Sequence, residues 1–136
     1  MNIRIGEEAD KERIVELRPQ AEGYFTKDYF LVAEEEDILG CATVFRRKIP
    51  APVSAAEAFI LLIDVFEEDN RNRGIGSLMV QKILEIEREK GTYQVRAYCD
   101  IKNTASHRLW LKNKFGISPD KQPDGSIPGS FVTYVL

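Results

Sequence analysis

The chain is poor in the residues from which many functional sites are built. Its two cysteines, Cys41 and Cys99, stand far apart in 136 residues. They make no disulfide framework, and no pair lies at metal-ligand spacing. His107 is the only histidine, so no metal site is expected. Both cysteines fall in strand-like runs and read as reduced, partly buried thiols of a cytoplasmic protein. Long apolar runs are also missing. The longest, Ala58–Ile63 with Val65 and Phe66 beyond Asp64, is far short of the roughly 20 residues of a membrane span. The start, "MNIRIGEEADKER", is charged within a few residues and lacks the apolar centre of a signal peptide. A net charge of −3 supplies no basic face, so nucleic acid is not an expected partner.

Two phosphate-binding signatures are absent as well. No Gly-Lys-Ser/Thr occurs, which excludes the P-loop. After Gly74 and Gly76 the third position of the dinucleotide fingerprint is Met79, which excludes that motif.

What is present fits one domain over residues 1–136, with no repeat and no low-complexity linker. "NIRIG" reads as a first strand and "EADKERIVELR" as a helix stopped by Pro19. "AEGYFTKD" reads equally as a short helix or a loop. "YFLVAEE" and "ILGCATVFRR" form an antiparallel hairpin about an acidic tip. The tip, Glu34–Asp37, and the later run Glu67–Asp69 read as solvated turns. "AEAFILLIDVF" is apolar on both faces, which places it centrally in the sheet. Ile75, Leu78, Met79, Ile83 and Ile86 then recur at helical spacing up to Gly91. "TYQVRAYCD" alternates as a strand, "NTASHRLWLKNK" is a helix capped by asparagine, and a proline-rich loop leads to a last strand, "SFVTYVL". The predicted fold class is α/β, a central mixed, mostly antiparallel sheet flanked by helices.

Between the central strand and its helix lies Arg71-x-x-Gly74-x-Gly76. Glycines let a ligand approach the backbone, the first helical N–H groups lack partners, and the helix dipole favours negative charge. Arg71 and Arg73 can add charge-assisted contacts. The same string also serves as an ordinary strand–helix turn. Asp64 is a lone carboxylate in an apolar strand, on one face with Leu62 and Phe66. It reads either as a site acid or as a structural partner of an arginine such as Arg96. His107 reads as a surface or capping residue.

R-x-x-G-x-G after a long apolar strand resembles the acyl-CoA-binding motif of the GNAT acetyltransferases. "NTASHRLWLKNKF" is similar to that family's N-x-x-A/S-x-x-L-Y-x-x-x-G-F on a later helix, and the order of elements agrees. The resemblance implies acetyl-CoA as donor and a primary amine as acceptor, attacked directly in a ternary complex. It implies a diphosphate cradle from the backbone of Arg71, Asn72, Arg73, Gly74, Ile75 and Gly76, with the Ser77 hydroxyl beside it. The pantetheine arm would lie along Val65 and Phe66, and Asn103 and Ser106 would face it, unless they serve only as helix cap. Asp64 would act as general base, directly or through water.

One position departs from the pattern. Trp110 stands where the family carries a tyrosine proposed to protonate the leaving thiolate, and an indole N–H cannot give up its proton at working pH. Tyr134, Tyr98 or Cys99 could take that part, or Trp110 could be a core residue. The same departure admits an alternative, a catalytically weakened acetyl-CoA-binding sensor. The terminal strand could help form a homodimer, and nothing in the sequence names the acceptor.

Overall fold

The structure, a computed structural model, describes residues 1–136. The chain runs β1 (Asn2–Ile5), α1 (Glu8–Leu17), a 3-10 turn (Pro19–Tyr24), β2 (Tyr29–Glu34), β3 (Ile38–Lys48) and β4 (Ala56–Val65). A second 3-10 turn (Glu68–Asn70) leads to α2 (Ile75–Glu89), β5 (Gln94–Asp100), α3 (Thr104–Lys112), β6 (Gly116–Pro119) and β7 (Gly129–Val135). The ambiguous segment after Pro19 is thus the first 3-10 turn. The strands form one seven-stranded sheet in the order β1-β2-β3-β4-β5-β7-β6. Only β4 and β5 pair in parallel; the other neighbours are antiparallel. The apolar β4 is the middle strand, as its composition requires.

Two features of β4 create the site. Its pairing with β5 covers Glu57–Ile60 against Gln94–Ala97 and then stops, so the strands part and the last residues of β4 are unpaired on that side. Its pairing with β3 slips at Leu61, where Thr43 opposes Leu62 but Val44 opposes Ile60. That bulge turns the strand by one position. Ala58 and Ile60 face the same core as Ile63 and Val65, while Leu62 and Phe66 pack on the other side of the sheet.

The larger core lies under α2 and α3 and contains Ile75, Met79, Val80, Ile83, Leu84, Val95, Ala97, Trp110, Phe115 and Val132. Leu78, expected on the buried stripe, is exposed, and the buried polar position on α2 is Glu87. Its carboxylate accepts from Tyr29 Oη at 2.6 Å, Thr92 Oγ1 at 2.7 Å and Arg46 Nε at 2.9 Å. A buried charge held this way is affordable because every contact is made. The smaller core, under α1, holds Ile14, Ala21, Val32, Ile38, Cys41 and Phe66. Both cysteines are fully buried free thiols. No helix is long and apolar enough to cross a membrane.

Candidate active site

The glycine turn folds as a coil of exposed and half-exposed backbone. Asn72 (φ 68°) and Gly74 (φ 78°) are both left-handed, and Gly74 is the N-cap of α2. The N–H groups of Asn72, Arg73, Gly74, Ile75, Gly76 and Ser77 donate to no other group of the chain; the first bond of the helix runs from Leu78 N to Gly74 O. A run of unpaired donors at a helix start is an anion site in waiting. The Arg71 N–H is not part of it, because it donates to Glu68 O at 3.0 Å. Arg71 contributes its side chain instead, with Nε on Val65 O at 3.4 Å.

These donors border a cavity of about 380 Å³ between α2 and α3, lined among others by Val65, Arg71, Gly76, Ser77, Arg108 and Lys112. No carboxylate lines it, and Arg71, Arg108 and Lys112 supply three positive charges. Gly76 keeps it open: a Cβ there would meet Leu109 Cδ1 at 3.4 Å, and anything larger would fill the space. The Ser77 hydroxyl accepts from Asn113 Nδ2 at 3.1 Å, which leaves its own proton to donate. Arg108, Lys112 and Ala105 had no motif to mark them, and Leu109 stands at the leucine of the second motif without a role assigned to it.

Arg73 points elsewhere. Its guanidinium pairs with Glu35 and donates to Asn70 Oδ1 at 2.7 Å, and Arg73 does not line the cavity. The acidic tip is therefore not merely solvated. Glu34 binds Arg4, Glu35 binds Arg73 and Asp37 binds Arg13. The tip of the β2–β3 hairpin thus meets the glycine turn through one exposed ion pair, Glu35 with Arg73.

A second cavity of about 280 Å³ continues into the splay, lined by Ile63, Asp64, Val65, Arg71, Gly76, Asn103, Ser106 and Leu109 among others. Phe66 lines neither cavity. Its N–H is committed to Leu39 O at 2.9 Å and its ring lies under Arg18. Alternation then turns the peptide groups of Val65 and Ile63 toward the splay. Ile63, which the sequence did not single out, thus replaces Phe66 along this wall. Asn103 and Ser106 form the expected cap, Ser106 N donating to Asn103 Oδ1 at 3.0 Å, and both side chains also border the cavity.

Asp64 lines this second cavity as the one carboxylate of the site. Its ion-pair partner is Arg18, Nε to Oδ2 at 3.6 Å, at the end of α1. Arg96 is not the partner; it lies between the rings of Phe59 and Phe131. Opposite Asp64 on β3 is Cys41, whose thiol is pushed up to about 12 by burial and by the Asp64 charge. It stays protonated and is no nucleophile.

Trp110 is buried, donates from Nε1 to Ser106 Oγ at 2.9 Å and packs on Phe115. It lines neither cavity. Tyr134 lies opposite Val95, at the paired end of β4 and β5, with its ring against Phe115. That places it away from the splay, a correction to its expected part as proton donor. Tyr98 is on the open face of β5, with its hydroxyl donating to Asp120 at 3.1 Å. Cys99 is buried at the end of β5, its Sγ 3.4 Å from His107 Nδ1. His107 is thus half-buried rather than a surface residue. Its Nδ1 also meets Asn103 O at 3.1 Å, and a carbonyl accepts only, so Nδ1 carries the proton and cannot activate the thiol.

The free-donor turn at a helix start is the geometry that the sequence motif implied, and the fold adds to it a parted pair of parallel strands and a cationic cleft. Residues 4–116 match the acetyltransferase (GNAT) family. The chain belongs to the GNAT family. Solved GNAT folds superpose over nearly its whole length. Arabidopsis thaliana NAA60 in complex with acetyl-CoA is 13% identical, with a TM-score of 0.74 and 99% of each chain covered. The ribosomal-protein-S18-alanine N-acetyltransferase of Escherichia coli is 12% identical with a TM-score of 0.75, covering 99% of this chain and 93% of that one. Ard1 of Thermoplasma volcanium is 22% identical with a TM-score of 0.68, covering 99% and 97%. At these identities the likeness is one of fold. No curated protein sequence matches the chain significantly.

Proposed function

We propose that this GNAT protein transfers an acetyl group from acetyl-CoA to a primary amine of a small molecule or peptide, by direct attack in a ternary complex. The observation that carries this reading is the run of unpartnered N–H groups from Asn72 to Ser77 beside a cleft holding Arg71, Arg108 and Lys112. When bound, acetyl-CoA supplies an acetyl group already activated as a thioester. The free N–H groups and the three cations bind its diphosphate, and the Ser77 hydroxyl adds a donor. The backbone of Ile63 and Val65, with Asn103 and Ser106 opposite, guides the arm into the splay. Asp64 takes the proton from the ammonium, directly or through a water, because an amine of pKa about 10 is mostly charged and not nucleophilic at neutral pH. The amine nitrogen then bonds the acetyl carbon as the carbon–sulfur bond breaks, and the second proton the nitrogen loses on becoming an amide passes to water or to the departed sulfur. The chain places no proton donor in the splay, and a thiol of pKa about 8.5 departs as thiolate without one.

The lack of that donor supports a second reading, an acetyl-CoA-binding sensor with weakened chemistry. Release of free thiol in the presence of amines separates the two, since a sensor binds without turnover.

The test is a thermal titration with acetyl-CoA, with adenosine and acetate as controls and Gly76→Trp alongside. A ligand at roughly 100 times its dissociation constant stabilises by about 2.7 kcal/mol. The expected result is a shift in the wild type that Gly76→Trp abolishes. No shift at millimolar acetyl-CoA would leave the turn an ordinary helix start and overturn both readings.

A further inference from the structure

Most arginines of this chain have a carboxylate within ion-pair distance: Arg4, Arg13, Arg18, Arg46, Arg47 and Arg73. Four do not. Arg71 and Arg108 border the cationic cleft, and Arg88 is exposed in the last turn of α2, where the helix dipole favours it. Arg96 is different. It sits mid-strand on β5, half-buried, with its guanidinium 5.2 Å from the Phe59 ring centroid and 4.9 Å from that of Phe131.

The surroundings fix its plane and leave its fork free. Stacking between two rings holds a guanidinium by its faces. Of its N–H groups only Nε has a protein acceptor, Thr133 Oγ1 at 3.3 Å. The nearby Glu57 is already taken, by Arg47 Nε at 2.6 Å and Gln94 Nε2 at 2.7 Å. Two arginines and one carboxylate thus leave one positive charge over, and it resides on Arg96.

Its position relates that charge to the reaction. Arg96 pairs with Phe59, and the next residue, Ala97, is the last one paired to β4 before the splay. Arg96 is therefore about 3.3 Å along the strand from the apex of the opening. Alternation and the bulge at Leu61 put Arg96 on the face of the sheet that also carries Leu62 and Asp64, opposite α2 and α3. On this face Leu61 and Tyr98 are exposed. Arg96, level with Phe59, and Asp64, near the end of β4, thus share the face of the sheet from which an amine would reach the splay.

We propose that Arg96 is a specificity-determining residue that binds an oxyanion of the acceptor, so that the preferred acceptor is an amine carrying a carboxylate or phosphate a few bonds from its nitrogen. This rests on the acetyl-transfer reading above and adds the class of acceptor to it. A planar fork whose two Nη groups are unspent matches either oxyanion through two parallel N–H···O bonds.

The experiment uses ω-amino acids of two to six carbons, each beside its primary amide, and 2-aminoethyl phosphate beside ethanolamine. Thiol release gives kcat and KM for each member, in wild type, Arg96→Gln and Arg96→Lys. Acetyl-CoA thermal stabilisation of each variant shows that it is folded and loads its donor. The expected result is an anionic member preferred by roughly tenfold or more at its best length, mainly through KM. Arg96→Gln brings the ratio near one, and Arg96→Lys leaves an intermediate ratio because it keeps the charge without the fork. The two oxyanion series tell carboxylate from phosphate. Equal use of charged and uncharged members by the wild type overturns the proposal while acetyl transfer stands, as does a preference that survives Arg96→Gln. If no amine is turned over, acetyl transfer itself is in question, and calorimetric titration of the same anions into CoA-saturated protein reads Arg96 alone. Binding lost in Arg96→Gln then supports the anion site, and no binding by the wild type overturns it.

Discussion

The indole nitrogen of Trp110 donates to the Ser106 hydroxyl at 2.9 Å, one turn back on the same helix. The N–H at the position where many GNAT proteins carry a tyrosine is therefore spent inside α3, and its ring is packed on Phe115. Trp110 acts on the site only by fixing the Ser106 oxygen that borders the splay.

From this follows a modest expectation for Trp110→Phe. The ring contact largely survives, while one buried hydrogen bond and some contact area are lost, together about 1–3 kcal/mol of stability. Thiol release under acetyl-CoA saturation should fall by no more than a few fold, and its pH profile should not move. A loss of about 10²-fold or more, the usual worth of an acid, would show that Trp110 does chemistry this geometry denies it.

Gly74 is where the cradle depends on backbone alone. Its φ of 78° lies in the left-handed region, and a Cβ there would meet nothing within 4 Å. The cost of Gly74→Ala is then conformational, about 1–2 kcal/mol. Chemical denaturation should show that loss with an unchanged m-value. Acetyl-CoA affinity should weaken further if the turn relaxes toward negative φ, because the free N–H groups on either side would be re-aimed.

How far the sequence reached can be judged at such positions. The central strand, the helix after it and the strand–turn–helix order were legible because apolar periodicity and glycine spacing are local signals. The Leu61 bulge was not, since an apolar strand carries no alternation to break, and it decides which face Asp64 takes. Partners distant in sequence were equally hidden. Arg96 was the arginine the sequence suggested as mate for Asp64, whereas packing selected Arg18, and Arg73 was legible as a cation but not as the mate of Glu35. The free N–H groups of Gly74–Ser77 followed from general helix physics and those of Asn72 and Arg73 from the family resemblance; the cations Arg108 and Lys112 that face them did not, because helix phase relative to another helix is a tertiary fact.

Glu87 is likewise a tertiary fact with a measurable consequence. It is fully buried on α2, and Arg46 on β3 is its only ion-pair partner. Arg46→Met leaves a buried carboxylate held by Tyr29 and Thr92 alone, and such a loss costs about 3–5 kcal/mol. Arg46→Met with Glu87→Gln should recover much of it, since Gln can still accept from Tyr29. A double-mutant cycle in urea measures the coupling, and additive single effects would rule out the pair as a stabilising unit.

The buried thiol of Cys41 predicts a defined alkaline loss. Burial first, and the charge of Asp64 second, push it up from an ordinary 9.0 to about 12. Above pH 9 the unfolded chain releases this proton while the folded chain keeps it. The folded state then binds more protons, so stability must fall as pH rises, by up to about 1.4 kcal/mol per pH unit until about 12. Below pH 9 the group contributes no slope. Denaturation of wild type and Cys41→Ala at pH 8, 9 and 10 isolates the effect. The difference in stability between them should be constant from 8 to near 9 and narrow toward 10; a constant difference throughout would mean that the thiol is not shielded.

Asp64 bears the largest expected effect on rate, and its geometry allows two roles to be told apart. It borders the splay as the only carboxylate of the site, and it pairs with Arg18 at the long distance of 3.6 Å. A carboxylate held that loosely keeps lone pairs for a water or an ammonium. If it accepts the proton of the amine, Asp64→Asn should lower kcat/KM by about 10²-fold or more at neutral pH. Acetyl-CoA affinity should stay unchanged, because the diphosphate contacts lie on the glycine turn and α3. Raising the pH supplies the amine already deprotonated, so the deficit of the variant should shrink toward pH 10. If Asp64 is only the mate of Arg18, the variant should lose stability, and Arg18→Gln should lose a similar amount, with little change in rate at any pH. Rates from pH 7 to 10 on both variants decide between them, since only a base yields a deficit that an unprotonated acceptor repairs.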